Sequence, residues 1–178
     1  MNATTGNWLW PPDSIRIGSI PWDSSWPLSA DPDVRRALLG YLDERFGIPA
    51  ARFDEFLLLG SRRSWFLLKK SGALAAAARL KIEQAGLKAF QQVGAFVKPT
   101  TRFIQLFGHL AVRARVVVDR EMLAGLTAGE RIPVDSAAGQ GYLILEYAEG
   151  GILGLGFLKD GLLRSQLPKK ELRAGMFD

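Results

Sequence analysis

Cysteine is absent from this 178-residue chain, and histidine occurs once, as His109. The first absence removes disulfides, thiolate metal sites and a cysteine nucleophile. The second leaves no histidine pair for a metal and no Ser/His/Asp relay, so His109 reads as a structural or surface residue. No apolar run approaches the ~18 residues of a membrane span. The opening Met1-Asn-Ala-Thr-Thr-Gly-Asn-Trp-Leu-Trp-Pro-Pro12 also lacks the basic and apolar regions of a secretory signal. The expectation is a soluble cytoplasmic protein with no membrane partner. Paired carboxylates are missing too: Asp43/Glu44 and Asp54/Glu55 are sequence neighbours that point apart on a helix, which suits solvent better than acid/base work. Gly151-Ile-Leu-Gly154-Leu-Gly156 is as glycine-dense as a phosphate loop, but no helix N-terminus follows it, and packing glycines are the favoured reading.

What the chain does hold is apolar mass and unevenly placed charge. A hydrophobic fraction of 48% suffices for a core in one larger domain or two small ones. The formal net charge is +5, yet residues 1–61 carry −3, residues 62–95 carry +6 and residues 96–178 carry +2. Cations concentrate at Arg62, Arg63, Lys69, Lys70, Arg79, Lys81 and Lys88. Smaller groups stand at Lys98/Arg102/Arg113/Arg115 and Arg164/Lys169/Lys170/Arg173. Several cations on one surface make a salt-sensitive polyanion site, because each neutralised phosphate releases counterions. Solvated faces are the bland alternative.

Along the chain, residues 1–30 hold Trp8, Trp10, Trp22 and Trp26 without helical or strand period, and read as an ordered arm stapled to the domain. Asp31-Pro32 is an N-cap and first-turn pair for a helix whose buried stripe is Val34, Leu38, Leu39, Leu42 and Phe46, and which stops at Gly47. A helical turn is expected over Pro49–Phe53, then strands over 55–60 and 64–69. A helix over Ala73–Ala85 and strands near 87–90 and 94–98 complete an α/β layer. Lys98-Pro99-Thr100-Thr101 is the junction, followed by a short helix over Thr101–Leu110. Strict alternation from Ala111 to Val118 would put Arg113 and Arg115 on the face opposite Val112, Ala114 and Val116. Asp119 caps a short helix over Arg120–Leu126, Ala128–Val134 leads into a strand, and Asp135–Gln140 is a polar loop.

The last sixty residues are the most legible. Tyr142–Tyr147 and Ile152–Leu158 are strands across the turn Ala148-Glu-Gly-Gly151. Lys159-Asp-Gly161 then launches Leu162-Leu-Arg164, which Pro168 ends. Gly154 and Gly156, two apart, bare one strand face to another backbone, a bulky side chain or a ligand. The residues Gly141, Leu153, Gly154, Gly156, Gly161, Leu163, Arg164, Ser165, Pro168, Lys169, Leu172 and Arg173 resemble the C-terminal PUA-like domain of the Nop/Sun-type RNA cytosine-C5 methyltransferases. Arg164 stands where lysine is commoner, and Leu167 where an aromatic is. Those enzymes need a cysteine nucleophile and a Rossmann domain. This chain has no cysteine and no strand-Gly-x-Gly-helix opening, so it is not read as the enzyme. Its layout instead resembles the small pre-PUA/PUA ribosome-biogenesis factors of the Nip-seven type.

That resemblance implies an α+β fold: a Trp-rich arm and α/β pre-PUA-like domain over 1–98, a junction over 99–111, and a PUA-like β-barrel over 112–178. It implies a protein without catalysis or cofactor that binds structured ribosomal or transfer RNA in ribosome biogenesis or RNA modification. Arg113, Arg115, Lys159, Arg164, Lys169, Lys170 and Arg173 would meet phosphates, Gly154 and Gly156 would let RNA approach, and Arg62, Arg63, Lys69 and Lys70 would extend the track. Possible protein partners are a ribosome-assembly factor or an RNA-modifying enzyme, the latter docked by the arm and the acidic first third. An unrecognised hydrolase or transferase, with a deep cleft around a perturbed titrating residue, is the remaining alternative.

Overall fold

The structure is a computed structural model that describes residues 28–61, 63–74, 85–94 and 96–168. The tryptophans of the expected arm, Arg62, nearly all of the helix expected over Ala73–Ala85, and Lys169, Lys170 and Arg173 lie outside the described residues.

Helix α1 (Pro32–Phe46) begins where Asp31 accepts the Asp33 amide at 2.8 Å, with proline in the first turn. It stops at Gly47, whose φ of 66° is left-handed and whose N–H donates to the Asp43 carbonyl at 2.8 Å. Leu38, Leu39, Leu42 and Phe46 are buried as the helical period requires, joined by Tyr41 and Arg45. A 3-10 turn over Ala50–Phe53 leads into the first sheet.

That sheet is an antiparallel series in chain order: β1 (Leu28–Ser29), β2 (Phe56–Ser61), β3 (Ser64–Lys69), β4 (Leu87–Val93) and β5 (Phe96–Pro99). Leu58, Trp65, Leu67, Phe90 and Val97 join the main core from one face. Thr100 then caps helix α2 (Thr101–Phe107) by accepting the Phe103 amide at 3.2 Å. Phe103 stacks at 5.5 Å from Phe90, 5.8 Å from Phe53 and 5.1 Å from Phe107. These rings fasten α2 to the first sheet at a separation where aromatic pairs attract.

The second sheet is built from β6 (Arg115–Val118), β7 (Ile132–Pro133), β8 (Gly141–Tyr147), β9 (Ile152–Lys159) and β10 (Leu162–Ser165), in the order β6-β8-β9-β10-β7. β6 runs parallel to β8 and the other pairs are antiparallel. Helix α3 (Arg120–Ala128) sits between β6 and β7 in sequence, capped by Asp119 and closed by Gly129 at φ 89°. The architecture is α+β. One hydrophobic cluster runs through both sheets and α1, and the Gln105 side chain of α2 donates to the Leu153 carbonyl of β9 at 3.2 Å. No described helix is long and apolar enough to cross a membrane.

Two local expectations change. The alternation expected from Ala111 fails because Ala114 adopts a φ of 51°, so the strand starts only at Arg115. The Val112 and Arg113 amides instead both donate to the Phe46 carbonyl, at 3.0 and 3.1 Å, completing the C-terminus of α1. Val112 is then 78% exposed while Ala114 is buried. The stretch Ala128–Val134, expected to lead into a strand, holds only a short one, because α3 runs through Ala128 and the strand is confined to Ile132–Pro133.

Candidate nucleic-acid interface

The β9–β10 turn sets the geometry of the site. Asp160 and Gly161 have φ of 52° and 74°, and two consecutive positive values make the two-residue turn that matches strand twist. Its length fixes Lys159 opposite Leu162 and therefore Phe157 opposite Arg164. On the other side of β9, Phe157 faces Tyr142 of β8. Cross-strand partners share a face, so Tyr142, Phe157 and Arg164 form one row, with Lys159 two residues on and on the same side.

The two rings meet edge to face, centroids 5.1 Å apart at 73°. Burial raises the Tyr142 phenol above its ordinary pKa, and the Arg164 charge beside it pulls it back. Tyr142 and Phe157 are half-buried while Lys159 and Arg164 are exposed. Neither cation has a carboxylate partner among the described residues. The nearby Asp160 instead accepts from the Gln140 amide at 3.3 Å.

The row is held from beneath by α1. β6 first pairs with β8 at Ile144, so the Tyr142 carbonyl has no β6 partner, and Arg45 Nε donates to it at 2.8 Å. The same guanidinium donates to Ala138 O at 2.7 Å and Gly139 O at 3.5 Å, tying down the loop before β8. Desolvation lowers the Arg45 pKa, partly offset by its neighbour Tyr41, whose own phenol burial pushes up. Arg45 is therefore a buried tether, and the site offers ionic and stacking contacts on a rigid floor.

Of the residues singled out in the sequence, Lys159 and Arg164 come together here. Arg113 and Arg115 do not join them: Arg113 donates to the Asp43 carbonyl at 2.7 Å, and Arg115 pairs with Glu146 at 2.5 Å while donating to Ala111 O at 2.9 Å. Arg63 is at the β2–β3 turn of the other sheet, with Lys69 further along β3 and Lys70 just beyond it. Gly154 and Gly156 are buried and are corrected to packing glycines. A Cβ at Gly154 would lie 2.5 Å from the Leu167 side chain and 2.8 Å from that of Thr101. One at Gly156 would lie 2.7 Å from Leu163 and 2.8 Å from Leu145. Protein fills the space that a ligand would need.

Sequence reasoning missed Tyr142 and Phe157 as site residues, although the Asp160-Gly161 turn carried the signal that aligns Phe157 with Arg164. It also missed Arg45, which lies seven residues after Leu38 and three after Leu42, on the buried stripe. Among the described residues, no three His, Cys, Asp or Glu side chains gather as a metal site.

No protein-family profile matches the chain, and no curated protein does. Among solved structures, a hypothetical protein from the hyperthermophilic archaeon Pyrococcus horikoshii is similar at a TM-score of 0.47 and 14% identity, over 83% of this chain and 86% of that one.

Proposed function

We propose that the protein binds structured RNA, ribosomal or transfer, through the outer part of its second sheet, and that this half of the chain is a PUA-like barrel. Binding, not catalysis, is the activity, and its setting is ribosome biogenesis or RNA modification. The observation that carries the reading is the row Tyr142–Phe157–Arg164 with Lys159 beside it: two cations without carboxylate partners among the described residues accompany an aromatic pair on a rigid strand platform. Backbone phosphates engage Arg164 and Lys159, and the half-buried rings offer a face or edge to a base or ribose. Such a surface reads shape and backbone more than sequence.

The test is affinity for ribosomal and transfer RNA fragments as a function of salt, with wild type and with Lys159→Glu/Arg164→Glu. Two lost phosphate contacts should weaken binding at least tenfold at low salt and flatten the log–log salt slope by about 1.4–1.8. Wild-type binding that is indifferent to this double reversal would remove the second sheet from the RNA. Absence of any RNA binding would favour the docking of an RNA-modifying enzyme through protein contacts.

A further inference from the structure

The face of the first sheet turned away from the main core has an order of its own. Register across four strands aligns Ser61 with Ser64, Ser64 with Gln91 and Gln91 with Lys98. Partners in antiparallel strands share a face, so these four polar side chains form one row, and none makes a side-chain hydrogen bond or ion pair to another described residue. Next to the row, Val93 pairs with Phe96, and both are large apolar residues left open, at 50% and 47% exposure. Phe96 precedes Lys98 by two residues, hence on the same face and about 7 Å away along the strand. Arg63 closes the end of the row: it is exposed in the β2–β3 turn, and its carbonyl accepts the Gln92 amide at 2.8 Å.

Charge gives this face its complement. Residues 56–118 carry eleven Lys/Arg and a single carboxylate, Glu83. The three ion pairs among the described residues leave Arg63, Lys88 and Lys98 unneutralised. Lys98 is half-buried, and desolvation holds its ammonium below the usual lysine range. A half-desolvated cation without an acid is a group that an incoming anion satisfies. Among the described residues β5 is also the last strand of its sheet, and none of them pairs with the backbone edge beside Phe96 and Lys98.

A protein partner would need apolar groups over Val93 and Phe96 with carboxylates set beside them for the cations. A duplex would meet the cations without using the ring, since its bases are stacked away. A strand with unpaired bases supplies both parts in every nucleotide, a base for the ring and a phosphate for the cations, and so uses all three features. We propose that this end of the first sheet is a second contact site, for single-stranded RNA, in which Phe96 stacks on an unpaired base while Lys98, Arg63 and Gln91 engage the adjoining phosphates and base edge. The polymer's identity as RNA rests on the reading of the second sheet; the site itself does not.

The test uses the full chain and fluorescein-labelled single-stranded oligouridine and oligoadenosine, with the same lengths of DNA and an RNA hairpin as further arms. Phe96→Leu keeps bulk and apolarity without the ring, and should weaken single-strand binding roughly fivefold or more. Phe96→Trp should retain or improve it. Lys98→Gln should flatten the salt slope by about 0.7. Lys159→Glu/Arg164→Glu should affect the hairpin arm more than the single strand. Full affinity in Phe96→Leu, or no binding of either single strand by wild type at low salt, overturns the site. Loss confined to Lys159→Glu/Arg164→Glu overturns it while sparing the second-sheet reading. Hairpin binding that ignores those two charges while single-strand binding needs Phe96 does the reverse. Equal affinity for RNA and DNA single strands keeps the stacking site and overturns its restriction to RNA.

Discussion

Replacing Arg45 by methionine keeps most of the apolar stem and removes the donors that join α1 to the second sheet. The bonds to Ala138 O at 2.7 Å and Tyr142 O at 2.8 Å are well formed, while the one to Gly139 O at 3.5 Å is at the limit of contact. Two carbonyls lose their donor in a region where Arg45 is only 8% exposed. A buried acceptor left without a partner costs about 1–3 kcal/mol, and relief from burying the guanidinium offsets part of the total. The net destabilisation expected is about 2–4 kcal/mol. With a urea slope of about 2 kcal/mol/M, the midpoint falls by about 1–2 M. Arg45→Lys, with one charged donor group, should recover part of the loss. Arg36→Met is the control: its pair with Asp33 is 2.6 Å long, but both side chains are more than three-quarters exposed, and the change should be under about 0.5 kcal/mol. A midpoint for Arg45→Met within about 0.3 M of wild type, at unchanged slope, would refute the tether.

The glycines of β9 give a second expectation. Gly154→Ala, with φ at 146° and side chains at 2.5 and 2.8 Å from the added methyl, should destabilise by about 2–4 kcal/mol in urea unfolding. Gly156→Ala, crowded without a positive φ, should cost about 1–3 kcal/mol. Helix α1 should lose about 1 kcal/mol in Asp31→Ala, read by the same assay. Lys98 supplies the pH dependence. Its folded pKa lies below its unfolded value, so the unfolded chain holds the proton more tightly and stability rises as pH passes upward through the folded pKa. Lys98→Gln should therefore unfold at higher urea than wild type at pH 7, and the gap should narrow towards about pH 10.

The first helix and the last two hairpins were legible because their signals are local. Asp31-Pro32 and Gly47 are cap chemistry read directly from residue type, and Asp160-Gly161 is turn chemistry that needs no tertiary partner. The β6 segment was misread for the opposite reason. Arg113, Ala114 and Arg115 alternate as a strand should, but the carbonyl of Phe46, sixty-odd residues earlier, claims the Val112 and Arg113 amides, and Ala114 takes a positive φ. Gly154 and Gly156 show a related ambiguity. A bare strand face predicts a close approach without saying by what, and the answer, Leu167, Thr101, Leu163 and Leu145, comes from elements that pack only in three dimensions.

Charge counting over-reads a basic chain in the same way. Arg35 donates to Phe53 O, Arg45 to Tyr142 and Ala138, Arg113 to Asp43 O, and Arg115 to Glu146. Guanidinium forks are engaged with the protein's own acceptors, as their planar multidonor geometry favours. Among the described residues, the cations left without a protein acceptor include Lys159 and Arg164 on the second sheet and Arg63, Lys88 and Lys98 on the first, while Arg52, Arg120 and Arg131 stand apart from both groups. If each site neutralises two phosphates, the first-sheet site alone gives a log–log salt slope near −1.4 on a single strand, the second-sheet site alone about −1.4 to −1.8 on structured RNA, and a ligand bridging both about −2.8 to −3.2. An RNA carrying a hairpin with an unpaired tail should therefore show the steeper slope, and charge reversal on either sheet should return it to the shallower one.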